Sequence, residues 1–133
     1  MSEFDKALEP ILARDPRYAR GAYQFLREAL DHTQVELVRI GGKPRHVSPG
    51  ELLEGLRQCA LSQFGPMALT VLEDWGVRSG EDWGEIVFNL IEQQVLAKTE
   101  RDSKDDFRGG YDFHEAFHKP FLPNGGSGKT LKR

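Results

Sequence analysis

Two apolar stripes at helical spacing, one on each side of a glycine, constrain the fold of this chain most. Pro66 suits the first turn of a helix, and Gly76 suits the left-handed residue that follows a helix end. Ser79 and Asp82 then form an S-x-x-D box, a signal for a new helix. The first stripe comprises Met67, Ala68, Val71, Leu72 and Trp75; the second comprises Trp83, Ile86, Val87, Leu90, Ile91 and Val95. This pattern predicts a helix-turn-helix.

Two further stretches favour β-structure. Residues 96–113 run from an apolar start through a polar tip to an aromatic return, which predicts the short β-hairpin of a winged helix. Residues 35–47 are rich in Val, Leu and Ile before Gly41-Gly42, a pair that suits a hairpin turn. We therefore predict a strand or hairpin over 35–47, with a loop as the alternative.

Helix start signals organise the first third of the chain. Ser2 and Asp5 form a capping box, and Pro10 inside the apolar pattern that follows predicts a kink or a late start. Asp15-Pro16 suits the cap and first position of a second helix. Its apolar residues repeat at helical spacing through Thr33.

The same signals recur later in the chain. Residues 48–51 (SPGE) form a third capping box and open a helix that Gly65 ends. Asp112 and Glu115 cap a brief helix, which Pro120 stops after about two turns. Together with the central pair, these elements predict a mainly α, compact domain of five to six helices, winged-helix-like in its hairpin.

Composition sets the domain organisation. The chain has 133 residues and one cysteine, which excludes an intramolecular disulfide and favours a reducing compartment. The sequence shows neither a signal peptide nor an apolar run of membrane-spanning length. We predict one globular domain over 1–122, a flexible basic tail over 123–133, and a cytoplasmic location. Within this domain, residues 65–118 carry 12 acidic and 5 basic side chains.

Residues 114–118 read HEAFH, a literal match to the zinc motif H-E-x-x-H. His114 and His118 lie one helical turn apart, so both can ligate zinc while Glu115 acts as general base. The helix is short, however, and residues 119–133 contain no His, Asp, Glu or Cys for a third ligand. We therefore assign no metal, cofactor or catalytic residue, and keep a zinc metallohydrolase as a remote alternative.

Phosphate and calcium patterns are also incomplete. Gly41-Gly42 lies beside Lys43, Arg45 and His46, but no G-K-[ST] follows it. GSGKT at 126–130 resembles the end of a phosphate-binding loop, yet position 123 is proline where that loop needs glycine. The acidic residues of 100–106 do not have the spacing of an EF-hand. We interpret the last two segments as a flexible tail and a solvated loop.

Three conspicuous side chains fall on apolar stripes. Cys59 lies on the inward face of its predicted helix, which favours a packed, inert thiol over a nucleophile. Trp75 and Trp83 flank the central turn, so we predict that they pack in the core, with an exposed aromatic anchor as the alternative.

Several longer phrases resemble an uncharacterised bacterial protein family restricted to Verrucomicrobia and Planctomycetes. They are DPRYARGAYQFLREAL, RHVSPGELLEGLR, FGPMALTVLEDWGVRS, GEIVFNLIE and LAKTERDSKDDFRGGYDF. The resemblance covers about residues 4–122. It implies membership of that family and brings no activity, cofactor or catalytic residue with it.

These observations favour a non-enzymatic cytoplasmic protein that binds another protein or itself. No convergent catalytic set is visible, and helix-turn-helix folds host protein binding as readily as DNA binding. A nucleic-acid-binding winged helix is the alternative. We expect no duplex DNA binding, because Glu81, Asp82 and Glu85 stand where a recognition helix would contact DNA. Arg78 and the basic tail are the local features that would support DNA binding.

Overall fold

The structure, a computed structural model, describes residues 2–43, 45–96, 104–108 and 110–122. It contains six α-helices in these ranges: α1 (Glu3–Arg14), α2 (Arg20–Gly41), α3 (Pro49–Phe64), α4 (Ala68–Asp74), α5 (Gly80–Glu92) and α6 (Phe113–Phe117). Short 3₁₀ turns lie at Gly65–Met67, Lys104–Phe107 and Lys119–Phe121. The prediction of a mainly α fold with five to six helices is confirmed.

The strand or hairpin predicted over 35–47 is wrong where the structure describes it. α2 continues without a break to Gly41, and Gly42 ends it with φ +80°, donating its N–H to the carbonyl of Val38 at 2.7 Å. Extending an existing helix adds a hydrogen bond per residue without a new nucleation step. Leu37 also packs against the core from this helical position, so the β-preference of the valines is overridden.

The β-hairpin predicted over 96–113 is not found either. Its described part holds a 3₁₀ turn, Lys104–Phe107, and an extended segment that leads into α6, while 97–103 lies outside the described residues. In the ranges that the structure describes, no residue forms a strand. The winged-helix interpretation therefore has no support, although helices do stand on both sides of the predicted central turn.

The helix-turn-helix assignment likewise has no support, but the helix end predicted at Gly76 and Val77 is present. Gly76 adopts φ +92° after α4, a conformation that residues with a side chain rarely adopt. Its N–H donates to the carbonyl of Glu73 at 3.0 Å, and the N–H of Val77 donates to the carbonyl of Leu72 at 2.9 Å. These two bonds make a Schellman motif, and the buried side chains of Val77 and Leu72 provide its apolar contact.

Most of the predicted helix caps are present. The side-chain oxygens of Ser2, Ser48 and Asp112 each accept the backbone N–H three residues on, and Ser48 and Glu51 complete a reciprocal capping box. α1 starts at Glu3 and runs through Pro10, so the late start is wrong. α2 starts at Arg20, five residues after the predicted cap.

Two residues expected to cap helices have other partners. Asp15 ends α1 instead of starting α2, and its carboxylate accepts hydrogen bonds from Arg17 and Asn89. Ser79 precedes α5 without a side-chain cap bond. The Asp82 carboxylate, which a capping box would direct to the N–H of Ser79, binds the hydroxyl of Tyr18 at 2.6 Å and the N–H of Arg78 at 2.8 Å. Each carboxylate thus has one long-range partner, Asn89 for Asp15 and Tyr18 for Asp82.

α5 is the best buried of the helices and is covered closely by a later segment. A Cβ on Gly80 would lie 2.4 Å from the carbonyl oxygen of Phe107, and a Cβ on Gly84 would lie 3.0 Å from the Cβ of Phe107. Glycines one turn apart on α5 therefore let the 3₁₀ turn Lys104–Phe107 approach the helix. Elsewhere α2 packs on α3, while α4 packs on α3 and α6.

Within the described ranges, no helix combines the length and apolar character needed to cross a bilayer. Residues 123–133, for which a flexible tail is predicted, lie outside the described residues.

Candidate functional site

The HEAFH histidines lie side by side on the exposed face of α6. The ring centres of His114 and His118 are 5.7 Å apart, and Glu115 pairs with Lys119 at 2.7 Å. Phe113 and Phe117 are buried on the opposite face of the helix. Within the described residues, no group of three potential ligands comes together around a metal position. The described residues thus offer a His pair without a third protein ligand, where zinc sites generally use three or four.

We predict that His114→Ala leaves the stability almost unchanged and that the purified protein lacks stoichiometric zinc. The reason is that His114 is exposed and contacts mainly His118, so its removal opens no cavity and leaves no buried polar group unpaired. Thermal unfolding of the variant and elemental analysis of the wild type check the two statements. About one zinc per chain, lost on mutation, would contradict them.

The other motifs that the sequence analysis considered and did not assign as sites include Cys59 and the basic group after Gly41-Gly42. Cys59 is half-buried, and burial raises the pKa of its thiol, which disfavours the reactive thiolate. Arg45 forms an ion pair with Glu51 next to His46, so the basic group after Gly41-Gly42 is partly occupied within the chain. The segments 126–130 and 100–103 lie outside the described residues.

The two tryptophans differ in burial. Trp83 is completely buried and stacks at 6.2 Å on Phe25, which confirms its predicted place in the core. Trp75 is half-buried and packs against Phe25 and Phe64 with ring centres 5.6 and 5.7 Å away. Both indole rings therefore pack against other aromatic side chains of the same chain.

A polar cluster joins the α1–α2 connection to α5. Asn89 donates to the carboxylate of Asp15 at 2.9 Å and to the hydroxyl of Tyr23 at 3.0 Å, and Arg17 bridges Asp15 and Glu85. The guanidinium of Arg17 holds the pKa of Asp15 well below its usual range, whereas burial raises the pKa of Tyr23. The groups satisfy one another, so the cluster favours a structural tie over a general acid or base.

The carboxylates at the start of α5 are engaged in the same way. Asp82 binds Tyr18, Glu85 binds Arg17, and Glu81 pairs with Arg108 at 3.2 Å. All three carboxylates lie near the N-terminal end of α5, which is the end of a recognition helix that would contact nucleic acid. The carboxylates at this end of α5 are therefore used within the chain, two of them in ion pairs with arginines.

An apolar groove lies between α2 and α5. Its cavity has a volume of about 200 Å³, which is more space than one water molecule needs. We call it the α2–α5 groove; its lining consists of Leu30, Gln34, His46, Val47, Pro49, Leu52, Val87, Phe88, Ile91, Leu96 and Phe107. The lining is dominated by aliphatic and aromatic side chains, which suits an apolar side chain of a partner better than a polar substrate.

The last two turns of α2 are more exposed than the rest of the helix, although Leu37 on their inner side still packs against the core. Thr33 is the last buried residue of α2. Six large apolar side chains are exposed in the described part of the chain, and three of them lie on these turns: Val35 (67% exposed), Val38 (39%) and Ile40 (75%). Val35 and Val38, three residues apart, share one side of the helix, whereas Ile40 lies on another side. Exposed apolar side chains that share one side of a helix indicate an interaction site more often than scattered ones.

We call the surface formed by Asp31, Val35, Val38, Arg39 and Gly42 the outer face of α2. The spacing of Asp31, Val35, Val38 and Gly42 alternates four and three residues, so these positions share one side of the helix. The sequence contains this signal, but the two valines also have the β-propensity that predicts a strand over the same residues. These residues were thus missed as a candidate surface.

Comparison with protein-family models, with curated proteins and with solved structures finds no match for this chain.

Proposed function

We propose that this chain is a non-enzymatic cytoplasmic module that binds a protein or associates with itself, and that the outer face of α2 is its docking surface. The observation that carries the proposal is the pair of exposed valines on two helical turns whose core contact among apolar side chains is the partly buried Leu37. Helix-on-helix docking through such a stripe is a common mode of protein recognition.

The α2–α5 groove extends this surface. Leu30, Gln34 and Val38 follow each other at i, i+4 and i+8, so the groove lining on α2 leads directly to the outer face. A partner helix lying on Val35 and Val38 would therefore lie beside the apolar lining of the α2–α5 groove. Partly buried apolar pockets next to an exposed stripe are where interface anchors bind.

Charge also favours a protein over nucleic acid. The segment 65–118 is acidic, and the carboxylates at the start of α5 are held in place by hydrogen bonds and ion pairs. Membership of the Verrucomicrobia and Planctomycetes family that the sequence resembles stays a prediction, and it adds no activity to this proposal.

We predict that substituting aspartate at both Val35 and Val38 abolishes partner binding while the fold is retained. The two side chains are exposed, so charged replacements desolvate carboxylates only when a partner covers them. Crosslinking and pull-down from the native cell extract, with the wild type and the double variant side by side, measure the effect. Circular dichroism verifies that both proteins are helical.

Met67→Asp serves as the matched control, because Met67 is also exposed but lies on the 3₁₀ turn before α4. It is expected to capture the same proteins as the wild type. Equal capture by the double variant would place the docking surface elsewhere. A reproducibly empty pull-down, together with turnover of a metabolite, would contradict the proposed function.

A further inference from the structure

Along the outer face of α2 the charge changes sign, and we call this change the charge gradient: Asp31 precedes the two exposed valines, and Arg39 follows them. Asp31 and Arg39 are both more than half exposed, with side-chain exposures of 65% and 69%. Their partners within the helix, Arg27 at 3.5 Å and Glu36 at 2.9 Å, form surface pairs of the kind that exchange readily.

We infer that the outer face of α2 binds the same face of a second copy of this chain, with the two α2 helices antiparallel. This inference rests on the proposed function and names the partner. A two-fold axis midway between Val35 and Val38 places Val35 of each copy opposite Val38 of the other. Such a contact is isologous: both copies use the same surface, so that Val35 contacts Val38 and Val38 contacts Val35 across the axis.

The antiparallel direction follows from the charge gradient. With Val35 opposite Val38, Asp31 faces Gly42 of the second copy, and Arg39 of that copy lies one turn away, within reach of a long side chain. The absence of a side chain at Gly42 leaves room for this pairing. A parallel arrangement would instead place Asp31 beside Asp31 and Arg39 beside Arg39, which like charges disfavour.

The size of the contact determines its strength. The antiparallel overlap extends over 31–42, about three helical turns. Such an overlap buries less than the roughly 1,200–2,000 Å² of stable complexes. The dimer is therefore expected to be weak and reversible, as for small transient interfaces.

The test combines sedimentation velocity with charge reversal in the full chain. The wild type is expected to change from monomer to dimer as its concentration rises. Asp31→Lys and Arg39→Glu should each weaken the dimer by about tenfold, because each replaces two symmetric attractions with two repulsions. An equimolar mixture of the two variants should recover the wild-type affinity, since one heterodimer then holds a Lys–Glu pair and a native Asp–Arg pair.

Arg57→Glu is the matched control, because Arg57 forms the same kind of i, i+3 pair with Glu54 on α3, away from the outer face. It should leave the dimer unchanged. A mixture that stays monomeric would overturn the antiparallel dimer. A wild type that is monomeric at every concentration, but whose outer face captures a different protein from the extract, would overturn this inference and leave the proposed function standing.

Discussion

Replacing Gly76 with alanine is expected to destabilise the protein by about 3 kcal/mol. Two effects add at this position. Gly76 has φ +92°, where a residue with a Cβ loses about 1–2 kcal/mol. The new Cβ would also lie 2.2 Å from the carbonyl oxygen of Arg17, a backbone atom in the α1–α2 connection. The turn after α4 and that connection would have to separate, although the N–H of Ala19 also donates to the carbonyl of Trp75 between them.

Two other glycines separate these effects. Gly42 has φ +80° with no described atom within 4 Å of a Cβ, so Gly42→Ala should show the conformational strain alone. Gly50 has neither a positive φ nor a close neighbour in the described residues, so Gly50→Ala should be neutral or stabilising. Urea unfolding at low protein concentration measures all three. A loss for Gly76→Ala no larger than for Gly42→Ala would show that the close approach to Arg17 is absent.

Trp83→Ala should have the other large effect, a loss of about 3–5 kcal/mol. Trp83 is completely buried on α5, and removing its side chain leaves a cavity beside Phe25. Its indole N–H has no hydrogen-bond partner among the described residues. Trp83→Phe should therefore lose much less than Trp83→Ala, because it removes an unpaired buried donor together with part of the volume.

The free energy of unfolding, from urea titrations followed by circular dichroism, measures this series. Met67→Ala is the control, since Met67 is exposed and its truncation should change stability by no more than about 0.5 kcal/mol. A loss below about 1 kcal/mol for Trp83→Ala would contradict the place of this ring in the core.

Local signals in the sequence predicted much of the helical fold. The Schellman motif at Gly76 and Val77 and the capping box of Ser48 and Glu51 depend on residues close together in the chain, so their partners can be identified by spacing. Asp82 shows the limit of this approach. Its spacing from Ser79 suits a capping box, but the hydroxyl of Tyr18 binds its carboxylate from a distant part of the chain.

The candidate surface could be predicted only in part. Protein binding was predicted, but Val35 and Val38 were assigned to a β-structure because their side chains favour strands. A helix that has already formed can continue past its last core residue until a residue such as Gly42 ends it. The β-propensity of the two valines contains no information about the start of α2 or about this cap. The approach of Phe107 to Gly80 and Gly84 likewise joins segments whose contact no spacing rule indicates.

Amide chemical shifts recorded as the protein is diluted test the central claim most directly, because they locate self-association on the chain. The outer face of α2 is the claimed contact, so the amides of residues 31–42 should shift with concentration. The amides of α1 and α6 should not. Shifts confined to residues 113–122, or none at millimolar concentration, would contradict a dimer formed by α2.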